Sequence, residues 1–368
     1  MNIRKGTAYN LLENLKQNIP EWQISDSAIL RFRESLPSII ATINDKFRIE
    51  SNYAENQAMD QYLDFLIDSH RYFGEMLLAI YQFHLWHDLI DEAIWYAQSI
   101  SSRGLDENYL ARMLKAWMIA MYSYIKPSEA NELCPPLNWL SKNVHELFQF
   151  DVIDENINSE ASQLLEMLLQ NKMDDAENLV RSFFDRYNSE DVIITELFAP
   201  VLSEIGRRWS KNMISVADEH LAVANLRIIY HAFFRSHYPK NKIGQKITIC
   251  CVPGEEHEIG AELLSLYLQN KGWNILFIGH SAPESEIIRM IDQNKPFAVI
   301  LSITLISHLP ALKSLIMELR RRFPALIILA GGSRFNQARE VIKKLADASP
   351  DSLEECHQIL KEMLKSNA

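Results

Sequence analysis

Apolar residues return every three or four positions through segments 61–67, 72–83 and 110–124, the spacing that marks one face of an α-helix. Residues 1 to about 150 read as helix almost throughout. Gly and Pro predict breaks at Ser101-Ser102-Arg103-Gly104 and at Cys134-Pro135-Pro136, the second read as a linker region. From about 155 to 240, segments 161–169, 173–187, 191–209 and 216–234 are amphipathic and joined by short connections, enough for an antiparallel bundle. Asp174-Asp175 and Ser189 read as helix-start residues. From Lys246 the period changes. Short β-branched runs at 247–252, 275–278, 298–301 and 326–329 alternate with helical stretches at 260–271, 283–293 and 309–323. That alternation predicts a parallel sheet with helices on both faces. A fifth strand has only Ala346-Asp347-Ala348 to draw on.

The expected fold is therefore multidomain, α and α/β. An all-α domain covers 1–150, a four-helix bundle 151–240, and a Rossmann-like (flavodoxin-like) parallel-sheet domain 241–368. Sheets of this kind bind ligands beyond the carboxyl ends of their strands. Three segments fall there: Glu255-x-His257-x-x-Gly260, Ser302-x-Thr304 and Gly331-Gly332. The gap from Gly260 to Ser302 is 41 residues, and that from Thr304 to Gly331 is 26. Taken singly, each piece reads as a surface His in an acidic loop or as a common turn. Together, each after a strand, they describe one pocket built from three loops, with His257 on one side of a cofactor of tetrapyrrole size.

Composition narrows the function classes. With 48% apolar and 23% charged residues over 368 positions, the chain has ample core for two or three domains. The net charge of −11 and the lack of a Lys/Arg-rich arm argue against nucleic acid as a direct partner. No segment reaches the roughly 20 apolar residues of a membrane span, and the N-terminus lacks the apolar run of a signal peptide. Cys134, Cys250, Cys251 and Cys356 show no CxxC spacing, so neither a zinc site nor a disulfide framework is indicated. A reduced, cytoplasmic protein is expected. No catalytic triad or phosphate-binding loop is present, and no enzymatic activity is expected.

The three-loop constellation resembles the cobalamin-binding signature Asp-x-His-x-x-Gly, Ser-x-Leu, Gly-Gly, over roughly residues 245–345. Glu255 stands where the family has Asp, and Thr304 where it has Leu. The resemblance implies that the cofactor's benzimidazole leaves cobalt for a slot in the sheet domain and that His257 replaces it as lower axial ligand. Glu255 would fix the imidazole tautomer, and Gly260 would let the nucleotide tail pass. Ser302 and Thr304 would hydrogen-bond that tail, and Gly331 and Gly332 would leave it room. Upstream, Trp209 is followed after nine residues by Glu219-His220 around Ile214-Ser215-Val216-Ala217. This resembles the helical cap of CarH-type adenosylcobalamin photoreceptors. By that resemblance Trp209 packs over the adenosyl group, Glu219 hydrogen-bonds it and His220 lies nearby. Read without the sheet domain, the same residues are a core Trp at a helix end and a solvated helix start. Ser210 stands where the best-known light sensors have a His that captures cobalt after photolysis.

Residues 1–150 do not read as the helix-turn-helix that begins light-responsive repressors. The segment is too long, lacks a basic recognition helix and holds Trp22, Trp86, Trp95, Trp117 and Trp139. The stretches Leu89–Tyr96, Ser102–Leu105 and Leu114–Trp117 resemble instead the helical domain of cobalamin proteins that lack a DNA-binding unit, some of which, the photocobilins, bind biliverdin beside cobalamin. That implies His84 and His87, three apart on one helix face, as pigment contacts, with Arg103 pairing a propionate. The other reading of the two histidines is a half-buried pair in an aromatic helix. The expected function is a cobalamin-dependent light sensor that changes conformation or oligomeric state on photolysis. It would act as a homo-oligomer, dimer or tetramer, toward a downstream protein partner, with no membrane role. The competing readings are a corrinoid carrier in methyl transfer and a haem-binding antirepressor.

Overall fold

The computed structural model describes residues 2–53, 57–150, 157–235, 243–332 and 336–366. It divides into two compact units, one of Met1–Asp154 with Ser210–Asn212, the other of Glu155–Trp209 with Met213–Ala368.

The first unit is all helical: α1 (Asn2–Asn18), α2 (Asp26–Tyr53), α3 (Gln57–Gln61), α4 (Leu63–Phe83), α5 (Trp86–Ser101), α6 (Glu107–Tyr124), α7 (Pro127–Lys142) and α8 (Val144–Phe148). Phe32, Phe47, Tyr81, Tyr109 and Trp117 fill its core. Close helix packing is enforced at Gly74, where a Cβ would lie 2.6 Å from Trp117 Cη2 and 2.8 Å from Leu36 Cδ1. Gly74→Ala should therefore lower stability by about 1–3 kcal/mol through overpacking, although Ala is the better helix former. A thermal melt showing no loss would contradict the packing.

The linker expected at Cys134-Pro135-Pro136 is not there. α7 runs through both prolines, because Leu133, Cys134, Pro136, Leu137 and Leu140 are buried on one side. The carbonyl of Leu133 also accepts the Tyr81 hydroxyl at 2.8 Å. Burial of this face outweighs the backbone hydrogen bonds that the prolines remove.

The second unit begins with the bundle: α9 (Ser159–Leu169), α10 (Met173–Tyr187), α11 (Glu190–Ile193), α12 (Ala199–Ser210) and α13 (Val216–Arg235). Asn158 caps α9 through Ala161 N at 2.8 Å. Ser189 caps α11 through Val192 N at 3.3 Å. The single helix expected over 191–209 is interrupted by a π turn at Ile194–Phe198. Pro200 lacks the N–H that would reach back to Glu196, and the Glu196 carbonyl takes Asn158 Nδ2 instead, at 2.5 Å.

The sheet domain follows: β1 (Lys246–Cys251), α14 (Ile259–Asn270), β2 (Asn274–Gly279), α15 (Glu284–Asn294), β3 (Ala298–Ser302), α16 (Leu309–Arg322), β4 (Ile327–Gly331), α17 (Asn336–Leu345) and α18 (Leu353–Ser366). The strands are parallel in the order β2-β1-β3-β4. The central strands β1 and β3 are buried nearly throughout, as expected of strands covered on both faces. The fifth strand is reduced to a bridge between Leu329 and Ala348. Bundle and sheet share one core, in which Leu226, Ile229 and Tyr230 of α13 join Leu263, Leu266 and Tyr267 of α14. Among the described residues no helix is long and apolar enough to cross a membrane.

Candidate functional site

Register brings the three loops to one edge. Cys251 pairs with Ser302, and Ser302 with Gly331, so β1, β3 and β4 end side by side. The order reverses between β1 and β3, the switch point at which such sheets open a crevice.

The β1 loop turns on Gly254, at φ +88°, and closes with Glu255 N donating to Val252 O at 3.0 Å. Glu255 is fully buried, which its charge tolerates only with dense hydrogen bonding. Oε1 accepts from His257 N at 3.0 Å and from His257 Nδ1 at 2.6 Å. Oε2 accepts from Thr304 N at 2.7 Å, Leu305 N at 3.1 Å and His308 Nδ1 at 3.0 Å. Burial pushes the Glu255 carboxyl up, but these donors outweigh it and hold the carboxyl well below its usual range.

An ionised carboxylate only accepts, so the proton between Glu255 and His257 belongs to Nδ1. Nε2 of the neutral ring is then the free lone pair, on a side chain that is 57% exposed. The Glu255 hydrogen bond raises the His257 pKa from its ordinary 6.5, against partial burial, and the charges of Glu256 and Glu219 add to it.

The other loops give backbone and space. Thr304 serves Glu255 through its N–H, and Ser302 is half-buried, its carbonyl accepting Val252 N at 3.0 Å. Gly332 sits at φ +114°, where a Cβ would meet the Ile303 carbonyl at 2.8 Å. Beside Gly331 and Gly332 opens a cavity of about 190 Å³ lined also by Arg339, Ile342, Ser349 and Pro350. Gly260 lies in the first turn of α14 with nothing within 4 Å of a Cβ.

On the bundle, Trp209 is half-buried next to the end of α12. Ser215 and Asp218 cap the start of α13 reciprocally, through Ser215 N to Asp218 Oδ2 at 2.9 Å and Asp218 N to Ser215 Oγ at 3.1 Å. That fixes the turn carrying Glu219 and His220, whose side chains pair with each other. His220 is exposed, while Glu219 is 28% exposed.

The candidates of the first unit are placed differently. His84 and His87 do not share a helix face. α4 ends at His84 in the left-handed conformation, φ 55°, and α5 starts afresh at Trp86. Both histidines are exposed. Arg103 is buried, its Nη1 donating to the Ser99 carbonyl at 2.8 Å while the guanidinium lies 3.9 Å over the Phe65 ring. Two groups were missed in the sequence. His308, six residues after Ser302, belongs to no short motif, and only its place just past a strand at the switch point signalled it. The ion pairs of Arg227 with Glu258 and Glu262 join segments 31 and 35 residues apart and left no local trace.

Comparison with known proteins agrees with this geometry. Residues 245–349 match a family described as B12 binding domain, and residues 160–228 match a second B12 binding domain family. The chain is 28% identical over 156 residues to the HTH-type transcriptional repressor CarH of Myxococcus xanthus, covering 41% of this chain and 50% of that protein. It is 26% identical to the HTH-type transcriptional repressor CarA of the same organism, over 42% of this chain and 52% of that protein. The chain thus spans about half the length of the curated relatives it matches. Among solved structures, the monomethylamine corrinoid protein of Methanosarcina barkeri aligns with a TM-score of 0.45 at 17% identity, over 54% of this chain and 96% of that one. The curated relatives are repressors, not enzymes. They also correct one expectation: direct nucleic-acid contact is not excluded for this chain. A net charge of −11 is a sum over all 368 residues and says nothing of the charge on any one face.

Proposed function

We propose, of a chain whose residues 160–228 and 245–349 match B12 binding domain families and which is similar to CarH-type repressors, that it binds adenosylcobalamin between bundle and sheet and signals light. The observation that carries this reading is the buried Glu255 carboxylate, which orients His257 with Nε2 outward at the sheet's switch point. The residues fit the cofactor. One imidazole nitrogen suits a metal whose ring ligands come from a macrocycle. The cavity beside Gly331 and Gly332 offers space for a nucleotide tail, and a side chain at 332 would close the approach to Ile303.

When bound, adenosylcobalamin would supply a cobalt–carbon bond that light can break. His257 would hold the lower face, oriented by Glu255. Trp209 would fill the volume beside the upper group, with Glu219 as its hydrogen-bond acceptor. Departure of that group would leave Trp209 beside a void costing ~24 cal/mol per Å³, enough to repack α12 against α13. Ser210 brings no imidazole to that face, which would leave the exposed His220 as the nearby imidazole beside Glu219.

The test is reconstitution in the dark followed by green light. The cobalamin absorption should change to that of an alkyl-free form, with a change in near-UV circular dichroism from the tryptophans. An unchanged absorption and dichroism would refute the light reading.

The raised His257 pKa adds a pH dependence. The Glu255 pair favours the imidazolium relative to a free imidazole, so His257 contributes stability below about 6.5 that is lost as pH rises through its raised value. Coordination needs the neutral ring. Cobalamin affinity should therefore rise over that same window, by roughly tenfold per pH unit below the raised value. A pH-independent dissociation constant from 6 to 9 would contradict it.

A further inference from the structure

A charged network outside the slot joins α13 to the His257 loop. Arg227 donates from Nη2 to Glu258 Oε1 at 2.7 Å and from Nε to Glu262 Oε2 at 2.9 Å. Glu262 is 12% exposed. It also accepts the Tyr230 hydroxyl and faces His231 Nε2 at 2.8 Å. Arg227, Tyr230 and His231 share one face of α13, and Glu258 and Glu262 are one turn apart. Glu258 directly follows His257, and its carboxylate is hemmed from the other side: a Cβ at Gly279 would lie 2.9 Å from its Oε2. His280 Nε2 stands 3.7 Å from its Oε1. The network is therefore a directional two-carboxylate clamp on one guanidinium.

Glu219 lies two helical turns before Arg227 on α13, about 12 Å along the axis. A helix held at Arg227 against the residue after His257 holds Glu219 at a set height above His257. We propose that Arg227 is a positioning residue that sets the height of the helical cap over the His257 loop, and thereby selects cobalamins with a bulky upper ligand. This rests on the reading of His257 and Glu219 as the two faces of one cofactor slot. A small upper ligand does not reach the cap, so its binding is indifferent to cap height.

The test uses the full chain with Arg227→Met and Arg227→Lys, titrated in the dark with adenosylcobalamin and with hydroxocobalamin. Met should weaken adenosylcobalamin roughly tenfold, the scale of one charge-assisted hydrogen bond, and leave hydroxocobalamin nearly unchanged. Lys, which keeps the charge but not the two-pronged fork, should restore only part of the loss. Equal effects on both cobalamins, or none, would overturn the proposal. A second measurement needs no cofactor: spin labels at Val216→Cys and Ser285→Cys, both exposed sites, with the native cysteines buried. The inter-label distance should be narrow in the parent and broad or shifted with Met. An unchanged distribution overturns the positioning role. If the parent binds neither cobalamin, it is the slot reading that fails, and the distances still decide whether Arg227 places α13.

Discussion

His257→Ala is expected to lower cobalamin affinity by roughly a hundredfold or more, since even outer partners of metal ligands are worth 10–100-fold. Whatever cofactor still binds should lack a protein nitrogen on cobalt. The expectation follows from the local geometry. Nδ1 is committed to a buried carboxylate at 2.6 Å, so the ring presents only Nε2. Glu255→Gln separates orientation from coordination. Gln retains an acceptor oxygen without the charge, so the ligand remains with weaker basicity and an intermediate loss of affinity. The Glu255 charge also matters to folding. Its carboxyl is held far below the ordinary 4.5 by the His257 and His308 donors and the backbone N–H groups, despite burial. The stability it contributes is present above that value and is lost as pH falls below it. Spectroscopic titration of the two variants against the parent checks the order; equal affinities would remove His257 from the site.

Gly332→Ala is expected to damage both folding and binding. The backbone sits at φ +114°, a conformation that costs a non-glycine residue about 1–3 kcal/mol, and the new Cβ would press on the Ile303 carbonyl at 2.8 Å. β3 and β4 would have to separate at their carboxyl ends, where the slot lies. Gly260→Ala is the contrasting change. That residue is in a helix with open space around it, so stability should hold or rise by a few tenths of a kcal/mol. If the tail passes over Gly260, affinity alone should fall. Urea unfolding of the cofactor-free variants, set beside their cobalamin titrations, separates the two. A Gly332→Ala protein as stable as its parent would contradict the close approach of the loops.

Much of this site was legible in the chain because its parts are local. The β-branched runs marked the strands, and in a parallel sheet the strand ends fall together, so His257, Ser302 and Gly331 could be assigned to one edge before their register was known. Glu255 is two residues from His257, which made the carboxylate–imidazole pair readable. What failed depended on tertiary burial or on sequence-distant partners. Pro135-Pro136 read as a break because local rules cannot see that Pro136 and its neighbours are buried. His84 and His87 read as one face because periodicity alone does not reveal a left-handed residue between helices. The π turn before Pro200 frees the Glu196 carbonyl, which is taken by Asn158, 38 residues upstream of Glu196. His308 reaches Glu255 across 53 residues, and no motif at either end foretells the other.

In the proposed complex His257 supplies the lower nitrogen on cobalt. Electron paramagnetic resonance of the reduced cob(II)alamin complex, prepared with protein whose histidines carry nitrogen-15, tests it most directly. The hyperfine pattern from the axial nitrogen should change from the triplet of ordinary nitrogen to a doublet, and His257→Ala should abolish the change. A triplet that persists in the labelled protein would mean that the nitrogen belongs to the cofactor's own base, and would contradict the assignment of His257.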